Sequence, residues 1–414
     1  VVVTASQLSF GEGDGSSRRV LTREEMERLP NLGDDPFRLV SQLPGATASD
    51  YSAAFHVRGG EERELLVRLD GLVLDKPFHL RGFLSAATIL DPKAIAGIEV
   101  LSGGAPAPYG RLSAVMNLTT RTPGRRRFIL GVSLVSFSAY AEGTFADGKG
   151  RAVVSARRGF LDLALRLTDA GLDEELDPRF ADAYARVERS LGAAHTLTFS
   201  GLWAGDDLGF HDTGQEATSK TSDLYGSGVL RSALSARLVS EAAVEAGRVS
   251  TNRDGTVAGG GVNGTFHDDR ALRFAGTRLA VDWDVAPRHA LRLGGALRAQ
   301  DATYDHLSSR TVTDPYLLAL GVPARQRLDF APSPSGNEWS LFASDRIAFS
   351  PRVGAEAGLR VDGATWSGSA HLLPRLGLAV TAGARSTLRA AWGLFSQPQG
   401  LDELYPEENS YEYY

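Results

Sequence analysis

The sequence predicts a β-rich membrane fold in two parts, a small α/β domain followed by a large antiparallel transmembrane β-barrel. Three observations carry this. Residues 98–121, IEVLSGGAPAPYGRLSAVMNLTTR, read as strand, glycine turn, Tyr-Gly turn and strand, and beyond Gly124 the composition changes for good. From Phe128 onward, runs of alternating apolar and polar residues are separated by turns. No apolar run reaches the ~18 residues of a spanning helix, so any crossing of a bilayer must be made by strands.

The chain opens on Val1-Val2-Val3-Thr4-Ala5, a β-branched run suited to adding a strand to a partner's sheet or to serving as a first strand of its own domain. Ser6 to Arg18 is a Gly/Ser-rich linker. Thr22-Arg23-Glu24-Glu25 is a capping box, and Met26 and Leu29 give the short helix an apolar side before Pro30 stops it. Asp35-Pro36 supplies the cap and first turn of a second helix, Phe37 to Leu43, which Pro44-Gly45 ends. Phe55 to Gly60 and Glu64 to Leu74 read as a hairpin whose second strand breaks at Asp70-Gly71, a turn dipeptide. Two short loops, 45–54 and 75–83, are expected to face outward. For Tyr51, His79 and Arg81 on these loops, ligand contact and packing against the barrel are both open, whereas Phe78 and Phe83 favour packing. Asp91-Pro92 caps one more short helix before the 98–121 motif.

In the second part the clearest hairpin is Arg278 to Gln300, turning at 286–289. Leu279, Val281, Trp283 and Val285 share one face; Arg278, Asp282 and Asp284 share the other. The same code recurs in Val353 to Asp362 and Thr387 to Leu394. Alternation alone leaves a soluble β-sandwich open. Short turns alternating with long polar connections at 168–179, 205–222, 251–270 and 305–336 favour a barrel with mobile outer loops. At ~10 residues per strand, about 12 strands fit before Pro398.

These features resemble TonB-dependent outer-membrane receptors. Glu99, Val100, Gly103, Tyr109, Gly110, Asn117 and Thr119 sit where that family's pattern places them at the end of its plug domain. Arg58-Gly59 and Asp70-Gly71 match its Arg-Gly and Asp-Gly turns, and DPFRLVSQLPG is similar to its plug helix. One departure is Ser102-Gly103, where many members have Arg-Gly. His371 to Leu378 resembles the family's Pro-Arg barrel strand, and Val153 to Leu165 an early barrel strand. The resemblance implies a Ton-box-like segment and linker over 1–18, a plug domain over 19–124 and a partial barrel over 125–414. It implies TonB binding by Val1, Val2, Val3, Thr4 and Ala5, and plug-to-barrel anchoring around Arg58, Gly59, Asp70, Gly71, Glu99, Gly103, Tyr109 and Gly110. Arg58 is expected to face barrel-wall carboxylates. The implied function is import of a scarce ligand, such as a siderophore, cobalamin, an oligosaccharide or a peptide, in the outer membrane of a Gram-negative bacterium. TonB, with its inner-membrane energising complex, would displace the plug. A surface receptor or signal transducer without import, and a soluble β-rich binding protein, are the alternatives. A plugged transporter barrel has about 22 strands, so the barrel is expected to be truncated at Tyr414.

Other chemistries find little support. Net charge is −6, unlike a nucleic-acid-binding surface, and with no cysteine there is no disulfide framework or thiolate metal site. HExxH, GxSxG and a Walker lysine loop are absent. Residues 259–264 fit GxGxxG formally but lie in a polar stretch with no helix after it. The eight histidines are scattered, and Glu61-Glu62 and Asp34-Asp35 belong to turns and caps. Neither an enzyme nor a cofactor is expected.

Overall fold

The computed structural model describes residues 17–28, 35, 37–48, 52–81, 85, 87–110, 113–133, 136–163, 176–212, 214–383 and 386–404. The expectations for Val1–Ala5, Tyr51 and Phe83 lie outside these residues.

The first part is built on a five-stranded sheet. Its strands are β1 (Arg18–Thr22), β4 (Leu65–Leu69), β5 (Leu72–Leu74), β8 (Ile95–Leu101) and β9 (Ala114–Thr120), in the order β1-β8-β9-β4-β5. Strands β8 and β9 pair antiparallel with Ile98 opposite Leu118, as the 98–121 motif predicts, and β4 joins β9 in parallel. Asp70 and Gly71, with φ of 48° and 93°, turn β4 into β5. The capping box is present: Thr22 Oγ1 accepts from Glu25 N, and Glu25 Oε2 accepts from Thr22 N at 2.9 Å, opening α1 (Arg23–Arg28). Asp35 Oδ1 accepts from Phe37 N at 2.9 Å and starts α2, which spans only Phe37–Val40 rather than continuing to Leu43.

One expected pairing is different. The short strand β3 (His56–Val57) pairs with β2 (Ala46–Thr47), not with residues 64–74. Leu65–Leu69 is instead committed to β5 and β9, whose buried faces it completes. A second two-stranded ladder joins β6 (Phe78–His79) to β7 (Ala87–Thr88). Phe37, Phe55, Phe78, Ile98, Met116 and Leu118 close the core, each essentially inaccessible.

The second part is a 14-stranded antiparallel sheet. It begins with β10 (Arg127–Val132), β11 (Ser136–Phe145), β12 (Gly150–Gly159), β13 (Leu176–Leu191) and β14 (His195–Asp212). It continues with β15 (Gln215–Ser235), β16 (Leu238–Gly259), β17 (Val262–Ala286) and β18 (His289–Val312). Helix α3 (Pro315–Ala319) and β19 (Arg325–Phe330) intervene before β20 (Ser335–Ser350), β21 (Val353–Ala364), β22 (Ser369–Thr381) and β23 (Thr387–Gly393). Neighbours in sequence pair with one another, except that β18 pairs with β19 along one half and with β20 along the other.

Alternation sets the two faces. Leu279, Trp283, Leu293, Leu297, Leu341 and Leu376 point outward and are exposed, while Asp182, Arg298, Ser344, Arg360 and Arg375 point inward and are buried. An apolar outside around a charged inside suits a wall between lipid and a filled lumen, and not a sandwich, whose buried face is the apolar one.

The long polar connections expected at 205–222 and 251–270 are ladder instead. β14 pairs with β15 out to Asp212 opposite Gln215, and β16 with β17 out to Gly259 opposite Val262. The Gly260-Gly261 step of the GxGxxG match is a hairpin turn, both residues having positive φ. The connection expected at 305–336 holds the end of β18, α3, β19 and the first residues of β20. Strands β15 to β18 thus run 21–25 residues, about twice the ~10 needed to cross a bilayer. The excess projects past the membrane band, where no apolar face is required and the alternation that marks a strand fades.

Candidate functional site

The first domain meets the inner wall through three sets of contacts. The first lies at the Asp70-Gly71 turn. Asp70 Oδ1 accepts from Thr120 N at 3.0 Å and Oδ2 from Thr120 Oγ1 at 2.5 Å, and Arg186 of β13 lies 3.7 Å from the same carboxylate. A Cβ on Gly71 would stand 2.6 Å from Arg278 Nη2, so glycine lets a β17 arginine reach the turn backbone. Three fully buried wall tyrosines, Tyr140, Tyr184 and Tyr225, lay their rings on the first domain's apolar core. Their hydroxyls stay polar-partnered; that of Tyr225 accepts from Lys76 N at 3.2 Å, the usual division of labour for a buried tyrosine.

The second set grips the 105–110 loop. Arg375 Nη1 donates to Ala105 O at 2.7 Å and Pro106 O at 3.2 Å, and Arg360 Nη1 donates to Ala107 O and Pro108 O at 3.3 and 3.2 Å. A Cβ on Gly110 would come within 2.7 Å of Arg360 Nη2. Two arginines from the wall take the carbonyls of Ala105, Ala107 and Pro108, together with that of Pro106, which also accepts from Tyr109 N at 3.1 Å.

The third set faces β12 to β18. His79 places Nδ1 2.6 Å from Asp206 Oδ1 and Nε2 3.2 Å from Asp182 Oδ2. Arg81 pairs with Asp223 through both terminal nitrogens at 2.7 and 3.2 Å, and Asp75 does the same with Arg298 at 3.0 and 2.5 Å. Burial lowers the pKa of Arg81, but the Asp223 carboxylate outweighs it and raises it.

The anchoring residues expected from sequence therefore divide. Asp70, Gly71 and Gly110 meet the barrel wall. Among the described residues Glu99 pairs with Arg18 and accepts from Asn117 Nδ2 at 2.8 Å, and the Tyr109 hydroxyl accepts from the same Nδ2 at 3.1 Å. Arg58, in a turn with Gly59 at φ of 53° and 77°, folds its guanidinium over Gly103, where a Cβ would lie 2.7 Å away. Among the described residues no hydrogen bond or ion pair joins Arg58 to a barrel carboxylate. Its side chain fills the space that a residue larger than Gly103 would occupy. His79 is wholly buried, so the 75–83 loop does not present it outward. Sequence reading missed Asp182, Asp206, Asp223, Arg298, Arg360 and Arg375; the available signal was a charged residue on the polar face of each strand.

Between these contacts lies a cavity of about 730 Å³, on the side of the long hairpins. Glu62, Arg81, Arg253, Arg298, Glu338 and Trp366 are among its walls. Burial pushes the Glu62 carboxyl up from its ordinary range. Residues 397–403 form one wall. Leu401 is fully buried beside Leu272, Ala302 and Tyr304, and Asp402 reaches Lys76 at 3.2 Å. Leu401–Glu403 is a 3-10 turn lying inside the wall rather than a strand in it. Asp268 accepts from Arg253 Nη2 at 2.7 Å and Arg270 Nε at 3.0 Å, cross-linking β16 and β17. No group of histidine, aspartate and glutamate among the described residues is arranged to hold a metal ion.

Comparison with known proteins accords with this architecture. Residues 14–115 match the TonB-dependent Receptor Plug Domain, and residues 132–412 match the TonB dependent receptor-like, beta-barrel model. No curated protein matched by sequence. The fold is similar to that of a mutant ferric enterobactin receptor (PfeA) from Pseudomonas aeruginosa, with 17% identity and a TM-score of 0.65 over 94% of this chain and 63% of that one. It is also similar to the siderophore receptor PirA from Pseudomonas aeruginosa, at 17% identity, TM-score 0.62, and 93% and 62% coverage. The ferric preacinetobactin receptor BauA from Acinetobacter baumannii matches at 12% identity and TM-score 0.58, over 89% of this chain and 62% of that one. The chain thus spans somewhat under two thirds of the length of these receptors. With a plug sheet seated in a wall of lumen-facing charges, and family models covering both, this chain belongs to the TonB-dependent receptors.

Proposed function

We infer that the chain supplies the plug and part of the barrel of a receptor that imports a scarce small-molecule ligand across the outer membrane of a Gram-negative bacterium. TonB would draw on the Val1–Ala5 segment by strand addition and so displace or remodel the plug. The observation that carries this reading is the contrast at the seam: the plug core is apolar, whereas its grip on the wall includes ion pairs and arginine-to-carbonyl bonds that water can replace. The cavity on the long-hairpin side supports ligand entry from there. Ferric siderophores come first among candidate ligands, because the similar solved receptors are named for ferric enterobactin, a siderophore and ferric preacinetobactin. Cobalamin, oligosaccharides and peptides follow.

Deleting Val1–Ala5 tests the reading. Ligand binding should survive while energised uptake falls to background. Undiminished uptake would overturn it, and binding by the intact receptor with no uptake of any ligand would favour a signalling role.

A further inference from the structure

His79 occupies a position that the import reading does not use. It lies on β6 of the plug and is inaccessible to solvent, as are Asp182 of β13 and nearly all of Asp206 of β14. Both ring nitrogens face carboxylate oxygens, at 2.6 and 3.2 Å. A neutral imidazole has one N–H, so its other nitrogen would turn a lone pair toward an anion. Only the imidazolium donates on both sides.

The charges around it point the same way. Arg157 of β12 donates from Nε to Asp182 Oδ2 at 2.7 Å and from Nη2 to Thr88 O on β7, and Arg81 pairs with Asp223 of β15. Asp206 Oδ2 also accepts from Leu80 N and Thr221 Oγ1, at 2.9 and 2.7 Å. Asp35 is held by Phe37 N and Thr88 N, and Asp91 by Lys93 N. Around the imidazole, the cations His79, Arg81, Arg157 and Lys93 meet the carboxylates Asp35, Asp91, Asp182, Asp206 and Asp223, so the cluster holds no spare positive charge. Loss of the His79 proton leaves a net negative charge buried, which is costly. Phe180 covers the imidazole with ring centroids 4.6 Å apart.

We propose that His79 is a proton-dependent latch: as the imidazolium it holds the β6–β7 hairpin of the plug on the β13–β14 wall, and on losing its proton it lets that hairpin go. Burial lowers the pKa of His79, but its hydrogen bonds to the Asp182 and Asp206 carboxylates outweigh it and leave it raised. The sign follows. The latch is fully formed below the ordinary histidine value of about 6.5 and is lost as pH rises through the higher value of the seated plug. Pulling the hairpin away returns His79 to water and releases its proton near neutral pH.

The chain contains no cysteine, so one introduced thiol reports on one place. Ala87→Cys lies opposite His79 in the β6–β7 ladder and is buried; Ala236→Cys, in an exposed turn of the wall, serves as the reference for thiol ionisation. The rate of maleimide labelling at position 87 relative to position 236 is measured on the full chain in detergent from pH 6 to pH 9. The expected ratio climbs with pH, about tenfold for each unit by which the histidine is raised. With His79→Gln the ratio is high already at pH 6 and flat. A flat ratio with His79 present, or an unchanged climb in His79→Gln, overturns the latch. Should His79→Gln fail to fold, NMR titration of the His79 imidazole carbon in the unsubstituted chain decides: a midpoint above about 6.5 supports the latch, and one at or below it overturns it. Neither measurement involves a ligand or TonB, so import and the latch can fail separately.

Discussion

The plug core and the plug–wall seam are held by different physics. In the core, Phe37 meets Phe55 and Phe78 edge to face, and Ile98 and Leu118 pair across β8 and β9, with no charge among them. At the seam, three wall tyrosines supply apolar contact, but direction comes from His79, Arg81, Asp75, Arg360 and Arg375. Apolar burial is non-directional and is lost only when the unit comes apart. Ion pairs and hydrogen bonds to charge are local and can be exchanged for water one at a time. Parts of the plug can therefore be released from the wall while its apolar core stays together.

Substitutions on either side of that line should behave differently. The largest effect belongs to the core. Phe37→Ala, at a site about 1% exposed, should cost about 3–5 kcal/mol of plug stability in denaturant titration, independent of salt. A cost below about 1 kcal/mol would mean the plug draws its stability from the wall. Next comes Asp75→Asn, which removes the charge facing Arg298. The loss should be about 1.5–3 kcal/mol, read as faster protease cleavage of the plug with the wall intact. If wall and plug melted together in that variant, the seam would not be the separable layer described. The smallest effect is expected at Asp402→Asn. Its pair with Lys76 is partly exposed and should contribute at most about 1 kcal/mol, vanishing at high salt. Burial lowers the Lys76 pKa, yet Asp402 outweighs it and raises it, so the pair persists across the neutral range. A larger effect would make 397–403 a structural part of the cavity wall rather than a loosely tied one.

Much of the fold was legible along the chain. The Thr22–Glu25 capping box, the Asp35 cap, the Asp70-Gly71 turn, the 98–121 motif and the 278–300 hairpin all lie where local chemistry puts them. Each rests on interactions spanning a few residues, or on a period of two that a half-buried strand must show. The failures have one cause each. Residues 205–222 and 251–270 looked like loops because strands beyond the bilayer need no apolar face, and their Gly, Asp and Thr content is that of a connection. Arg58 matched a family turn, but that its guanidinium lies over Gly103 depends on packing that the turn residues do not encode. Gly71 and Gly110 could be read as turn residues, yet the wall arginines they admit are about 200 or more positions away.

Within the bilayer band, neighbours two to four positions apart dictate which residues form strands and turns and which face of each strand is apolar. That His79 enters the wall between Asp182 and Asp206, and that Arg360 and Arg375 close on the 105–108 carbonyls, depends instead on contacts between distant parts of the chain. A charge on the polar face of a strand has many possible partners. Which one it meets is fixed by strand register and by how the plug sits in the lumen, and neither quantity is written in any local stretch of the chain.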